Sequence, residues 1–175
     1  MRRSRRARPF QGFLLLAPPS GAFPSARRKL RSMSDQCVFC GIVAGDVPST
    51  RVAEDETTYA FMDINPASDG HLLVVPKRHS TDLVDIPAED LSAVTLTAQR
   101  VARAAVHELG AGGVNLLNCC GATAWQSVFH FHLHVIPRYR DEAKDRLRLP
   151  WTPEVRGDDG TITELGKRIC TALEG

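Results

Sequence analysis

No apolar run approaches the roughly 18 residues that a membrane-crossing helix needs, which excludes a helical membrane protein. No internal repeat is visible. Acidic residues are missing from positions 1–32, which hold nine Lys/Arg. Beyond that head, 13 basic and 20 acidic residues give a net −7, although the whole chain is formally +2. The folded body is thus acidic, which argues against polynucleotide binding and leaves room for a small nucleotide held by local groups. The cysteines number five, an odd count, and no credible export signal precedes them, so a disulfide framework is not expected. A reducing cytoplasm fits that usage, and no membrane partner is expected.

The basic head has four prolines and one short apolar patch, 13–17, broken by Pro18-Pro19. That patch is too short for an export signal; the Arg-rich, acid-free composition also suits an organelle transit peptide. The reading favoured here is that residues 1–32 are disordered and precede a true start at Met33, followed by a single domain over 33–175 with a C-terminal extension from about 141.

What is present is ordinary for one globular domain: 175 residues, 43% hydrophobic and 24% charged. Residues 37–45 read as a short helix or turn. Strands are expected at 51–53, 57–62, 72–75, 114–118 and 130–136, with Pro76 closing the third. One long helix is expected over 87–109. Pro87 suits its first turn, Glu89 and Asp90 favour its positive end, and Gly110 stops it. Leu91, Val94, Ala98, Val101, Ala105 and Leu109 give it an apolar stripe. Ile162, Leu165, Ile169 and Leu173 suggest a C-terminal amphipathic helix. The sum is an α+β domain: a mostly antiparallel five-stranded sheet with helices on one side.

The most informative segment is His130-Phe131-His132-Leu133-His134-Val135-Ile136. Strand side chains alternate between faces, so the three histidines form one row and Phe131, Leu133 and Val135 point into a core. Three imidazoles on an accessible face suit phosphate chemistry or metal binding. Cys37-x-x-Cys40 is a second feature. A zinc site, a thioredoxin-like redox pair and unpaired structural thiols compete for it, although no thioredoxin βαβ context surrounds it. Cys119-Cys120 read as small apolar fillers. His71 and His107 read as ordinary histidines, and Lys77-Arg78 as a surface charge run.

His–apolar–His–apolar–His–apolar–apolar resembles the histidine-triad (HIT) family. Three more segments agree in order: 59–66, 71–79 and Gln126-Ser127-Val128. Cys-x-x-Cys and the ending Ile136-Pro137-Arg138-Tyr139 resemble the bacterial-type branch, and the likeness covers about residues 37–140. It implies nucleotidyl hydrolysis or transfer at the α-phosphate of nucleoside monophosphate derivatives, through a nucleotidyl-histidine. His132 corresponds to the nucleophile, His134 to a phosphate-oxygen donor and Ser127 to the leaving-group contact. Asp63 corresponds to the ribose ligand, with a turn or cap aspartate as its plainer reading. Val38, Phe39, Ile42, Phe61 and Ile64 correspond to the slot around a purine base, though each also suits plain core. Asn118 and Gln126 complete the nucleotide side, and Gly121-Ala122 would bring backbone N–H groups to the phosphate. The family further implies structural zinc on Cys37, Cys40, His79 and His130, and a homodimer joined edge to edge, partly through the helix 87–109. Two other functions remain open: a zinc hydrolase using the three histidines as ligands, and a non-catalytic nucleotide-binding module. His134, where related uridylyltransferases carry glutamine, disfavours their activity.

Overall fold

The computed structural model describes residues 37–148 and 154–175; the expectation for the head, 1–32, lies outside them. In chain order the elements are α1 (Val38–Ala44), β1 (Arg51–Glu54), β2 (Thr58–Met62), β3 (Leu72–Pro76), α2 (Ala88–Leu109), β4 (Gly113–Leu117), a 3-10 turn (Ala122–Ala124), β5 (Leu133–Arg138) and α3 (Asp159–Glu174). The five strands form one antiparallel sheet in the order β1-β2-β3-β5-β4.

Register decides which residues share a face. Phe61 pairs with Leu73, and Leu73 pairs with His134. These three therefore line one face, while Ala60, Val74 and Leu133 line the other. On that second face, Ala60, Leu72, Val74, Phe131 and Val135 pack against Val94, Ala98 and Val101 of α2. Phe131 is 1% exposed, and its loss to alanine would cost on the order of 3–5 kcal/mol. α2 begins after Pro87 and ends at Gly110, whose left-handed φ of 65° favours glycine. Its stripe is buried at Val94, Ala98, Val101 and Ala105, but Leu109 is exposed.

The expectation of helices on one side is corrected. On the opposite face from α2, Phe39 and Ile42 of α1 pack on Tyr59, Phe61, Leu73 and Val75. The strands β2 and β3 are apolar on both faces, so each face needs a cover. α3 forms where expected, capped by Asp158 accepting from the Thr161 N–H at 2.7 Å, yet all its residues are exposed. Packing of the body continues past β5: Arg138 pairs with buried Asp145 at 2.7 Å, and Ser68 bridges to Asp145.

No helix among the described residues is long and apolar enough to cross a membrane. A hollow of about 450 Å³, lined by Val52, Met62, Leu72, Val101 and Leu109, lies on the α2 face, behind the sheet from the histidines.

Candidate active site and metal centre

The triad segment is shorter as a strand than expected. β5 begins at Leu133, and His130 to His132 run outside the ladder. The reason lies in β3, which ends at Pro76, a residue with no N–H to give. Other partners take over. The Phe131 N–H donates to the Ser80 carbonyl at 2.7 Å, and Asn118 Nδ2 donates to the His132 carbonyl at 2.9 Å. The extended course persists, so the alternation survives: the His132 and His134 rings lie 4.9 Å apart, and the Phe39 ring is 5.2 Å from His132.

Hydrogen bonds fix the proton on each ring. His130 Nε2–H donates to the Pro76 carbonyl at 2.9 Å, which leaves its Nδ1 lone pair facing Cys37 and Cys40, both 3.4 Å away. His132 Nδ1–H donates to the His130 carbonyl at 2.8 Å, which leaves the Nε2 lone pair without a partner among the described residues. The Ala67 N–H, which can only donate, gives to His71 Nδ1 at 3.1 Å. His71 must then carry its proton on Nε2, and it donates to His134 Nδ1 at 2.9 Å. His134 in turn carries its proton on Nε2. The row thus presents one lone pair and one N–H side by side.

Burial keeps these rings neutral. It is the main cause lowering His132, His134 and His71 below the ordinary histidine value, His134 to about 4 with help from its histidine neighbours. His130 falls to about 4 for the same first reason. A neutral imidazole is the form that can attack phosphorus or bind a metal.

The second constellation forms as expected. Cys37 caps α1 and Cys40 lies three residues on, so both sulfurs share one side of the first turn. The Ser80–Phe131 bond draws the segment after β3 to the triad, placing the His79 and His130 rings 5.0 Å apart. His79 Nδ1 is 3.3 Å from Cys40 Sγ, and all four donor atoms lie within 4.8 Å of one another. Zinc–ligand lengths of about 2.3 Å to sulfur and 2.0 Å to nitrogen put tetrahedral S and N about 3.5 Å apart, so this donor set fits zinc. Burial and Cys37 push the Cys40 thiol up to about 11; a cation would be needed to hold it as thiolate at neutral pH.

Asp63, His71 and His134 form another close group. It is a hydrogen-bond relay: His71 Nε2 is committed to its proton by Ala67, so it cannot ligate without breaking that bond. His130, His132 and His134 do not converge on one point, since His130 turns its free nitrogen toward the sulfurs. This geometry removes the observation that favoured a three-histidine zinc hydrolase.

Asp63 faces two ways. Oδ1 accepts from the Asn65 N–H at 2.8 Å, as a turn aspartate does. Oδ2 faces the histidines, 3.6 Å from His71 Nε2 and 4.0 Å from His134 Nδ1. Phe39, Ile42 and Phe61 are buried together behind His132, whereas Val38 is exposed and Ile64 is 90% exposed. Asn118 Oδ1 is buried with no partner among the described residues, an acceptor beside His132. Ser127 is exposed in the preceding loop.

Two expectations are corrected. Gln126 is 4% exposed and both its N–H donors are engaged: Oε1 accepts from the Gly121 N–H at 2.7 Å, and Nε2 donates to the Thr81 and Val128 carbonyls at 2.7 and 3.2 Å. It braces the loop and has no N–H left to donate to a phosphate. The same bond takes the Gly121 N–H away from any phosphate. His71 is a residue of the histidine site that the sequence reading missed. Its signal was available: alternation along β3 puts 71, 73 and 75 on one face, and Leu73 and Val75 pack under α1. The bland readings hold elsewhere. His107 is exposed beside Glu108, Lys77 pairs with Glu54 at 2.8 Å, and Arg78 pairs with Asp90 and Glu89 at 2.7 Å.

Comparison with known proteins agrees with this geometry. The family model described as HIT domain matches residues 44–141, more than half of the chain. The chain is 38% identical to adenosine 5′-monophosphoramidase HNT1 of Saccharomyces cerevisiae over 139 residues, 79% of this chain and 84% of that protein. The crystal structure of a Zn-bound histidine triad family protein from Mycobacterium smegmatis is similar at 44% identity and TM-score 0.61, covering 67% of this chain and 86% of that one. A HIT family protein from Bacillus anthracis is similar at 35% identity and TM-score 0.71, covering 79% and 97%. The chain belongs to the HIT domain family.

Proposed function

We propose that the chain hydrolyses purine nucleoside monophosphate derivatives at the α-phosphate, through a nucleotidyl adduct on His132. The observation that carries this is the paired tautomers: a free lone pair on His132 Nε2 beside a proton on His134 Nε2. His132 Nε2 gives its electron pair to phosphorus, and the bond to the leaving group breaks with its pair going to that group. The His130 carbonyl holds the Nδ1 proton and offsets the positive charge that develops on the ring. His134 Nε2–H donates to a non-bridging phosphate oxygen, and Asn118 Oδ1 is an acceptor on the same side. Water then cleaves the adduct, with Ser127 against the leaving group. Positioning and charge stabilisation supply most of such catalysis. Asp63 Oδ2 would accept from ribose, and Val38, Phe39, Ile42, Phe61 and Ile64 would border the base. The HNT1 name, which describes a phosphoramidase, supports the amide class of substrate.

Zinc on Cys37, Cys40, His79 and His130 would tie α1 to the sheet and take no part in the reaction. The Zn-bound relative and the donor geometry support that assignment. The proposal includes a cytoplasmic homodimer. β4 is an edge strand whose Leu116 and Leu117 are exposed, the kind of edge that a second copy covers.

Steady-state kcat/KM for adenosine phosphoramidate, an aminoacyl-adenylate and diadenosine polyphosphates tests the reading. Turnover of the first class with release of AMP is expected. Tight AMP binding with no turnover of any would leave a binding module.

A further inference from the structure

Trp125 is the one non-glycine residue with a left-handed backbone among the described residues, at φ 69° and ψ 16°. A bulky side chain is disfavoured there, because Cβ crowds the following carbonyl, and the conformation persists only where the surroundings impose it. Those surroundings are identifiable. The Trp125 and Gln126 N–H groups return to the Ala122 and Gly121 carbonyls at 3.1 and 3.2 Å. The buried Gln126 carboxamide clamps Gly121, Thr81 and Val128 together. The clamp sets the turn, and the turn sets residue 125 in a region that glycine would occupy without strain. Tryptophan stands there instead, and 67% of it is exposed. An indole on water, on a strained backbone, adds nothing evident to the fold.

The loop that holds it borders the histidine row at both ends. It starts at Asn118, bonded to the His132 carbonyl, and closes at Val128, which packs against the cluster of Phe39. Trp125 lies between, two residues before Ser127, and Phe129 is a second exposed aromatic just beyond. α1 and β2 supply the apolar slot, and Asp63 supplies the ribose side. Residues 119–129 are the border that remains for the leaving group.

We propose that Trp125, with Phe129, is a specificity-determining stacking surface for the leaving group, favouring nucleotidyl amides whose amine carries a flat aromatic body. This rests on the hydrolase reading above. In the step concerned His132 Nε2 bonds to phosphorus as the P–N bond to the amine breaks, the electron pair stays on the amine nitrogen, and that nitrogen takes a proton from solvent water to leave as the amine. Trp125 handles no proton; its ring face holds the amine's aromatic ring by offset or edge contact.

The test is kcat/KM of the full chain on two AMP phosphoramidates, one made from benzylamine and one from cyclohexylmethylamine. The amines are alike in size and differ in planarity; benzylamine is also the weaker base and so the better leaving group in every variant, and the test therefore reads the change of the ratio on substitution. The benzyl-to-cyclohexylmethyl ratio of wild type should exceed that of Trp125→Gly by about three- to tenfold, the range that one aromatic pair supplies. Trp125→Gly should keep only the preference that basicity sets and should raise the melting temperature, since the strain is gone. Trp125→Phe should keep most of the ratio, and AMP affinity should not change in either variant. Robust turnover with an unaltered ratio in Trp125→Gly overturns this proposal alone. So does a Trp125→Gly protein that melts lower or loses a dimer, because the indole then packs against protein. No turnover of either amidate by wild type overturns the hydrolase reading and this proposal with it.

Discussion

His71 Nε2 lies 2.9 Å from His134 Nδ1, and the Ala67 N–H behind His71 gives that contact a direction. A backbone amide cannot accept. That direction therefore passes through two imidazoles and leaves a proton on His134 Nε2, facing the site. One main-chain group, four residues from His71, sets what the last histidine of the row can offer a phosphate.

His71→Ala should lower kcat by about tenfold to a hundredfold and leave KM within a few-fold, since it frees His134 to rotate and change tautomer without touching the base or ribose side. His71→Gln should recover part of that loss, because a carboxamide can accept from Ala67 and donate to His134. Steady-state kinetics on both variants decide it. Equal losses in the two would make His71 a packing residue.

The His134 ring should stay neutral at pH 5.5. Burial, and repulsion from charge on His132 and His71, hold it near pKa 4, outweighing the attraction of Asp63. The folded value is below the unfolded value of about 6.5. Unfolded chain therefore binds a proton that folded chain refuses, and this contribution to stability is full above pH 6.5 and is lost as pH falls toward 4. Ring nitrogen shifts by NMR should show the neutral form with the proton on Nε2. Replacement by His134→Gln should flatten the fall of melting temperature over that window. A ring that titrates at 6.5 would refute the neutral site.

Strand alternation made the faces legible: the histidine row, the Phe131–Val135 core side and the long helix with its glycine stop all follow from spacing within one segment. Partners distant in sequence were less legible. His71 meets His134 only through the β3–β5 register; alternation along β3 gives the face of residue 71 but not that partner. Gln126 stands beside the triad in the chain, but a carboxamide's direction depends on Thr81, 45 residues earlier. Alternation also reports direction and not pairing, so it could not show that the ladder stops where Pro76 has no N–H to give. The two-sided sheet was readable in principle, since 72–75 is apolar at every position.

Purified protein should carry about one zinc per chain, the content of a closed four-ligand site. Cys40→Ser should lower both zinc content and melting temperature. Chelation should destabilise the fold first and reduce turnover only as the fold is lost, because His132 and His134 are not in the ligand set. Metal analysis with parallel melting and activity curves checks this. Activity lost while the fold stays intact would make the metal catalytic.

The most decisive expectation concerns His132. His130 turns its free nitrogen to the cysteines, and His134 gives its lone pair to His71, so His132 Nε2 is the one free lone pair in the row. His132→Ala should lower kcat by on the order of 10⁴-fold or more, the scale of losing a nucleophile. AMP affinity should stay within tenfold, or about 1.4 kcal/mol, because Phe39, Phe61 and Asp63 hold their places without it. Rapid acid quench of wild type with an adenylate substrate should trap an acid-labile nucleotidyl group on the peptide containing His132. His134→Ala should still form that adduct, on the order of 10²-fold more slowly, since it removes one donor and leaves the attacking lone pair intact. An adduct on another residue, or brisk turnover by His132→Ala, would place the chemistry elsewhere in the row.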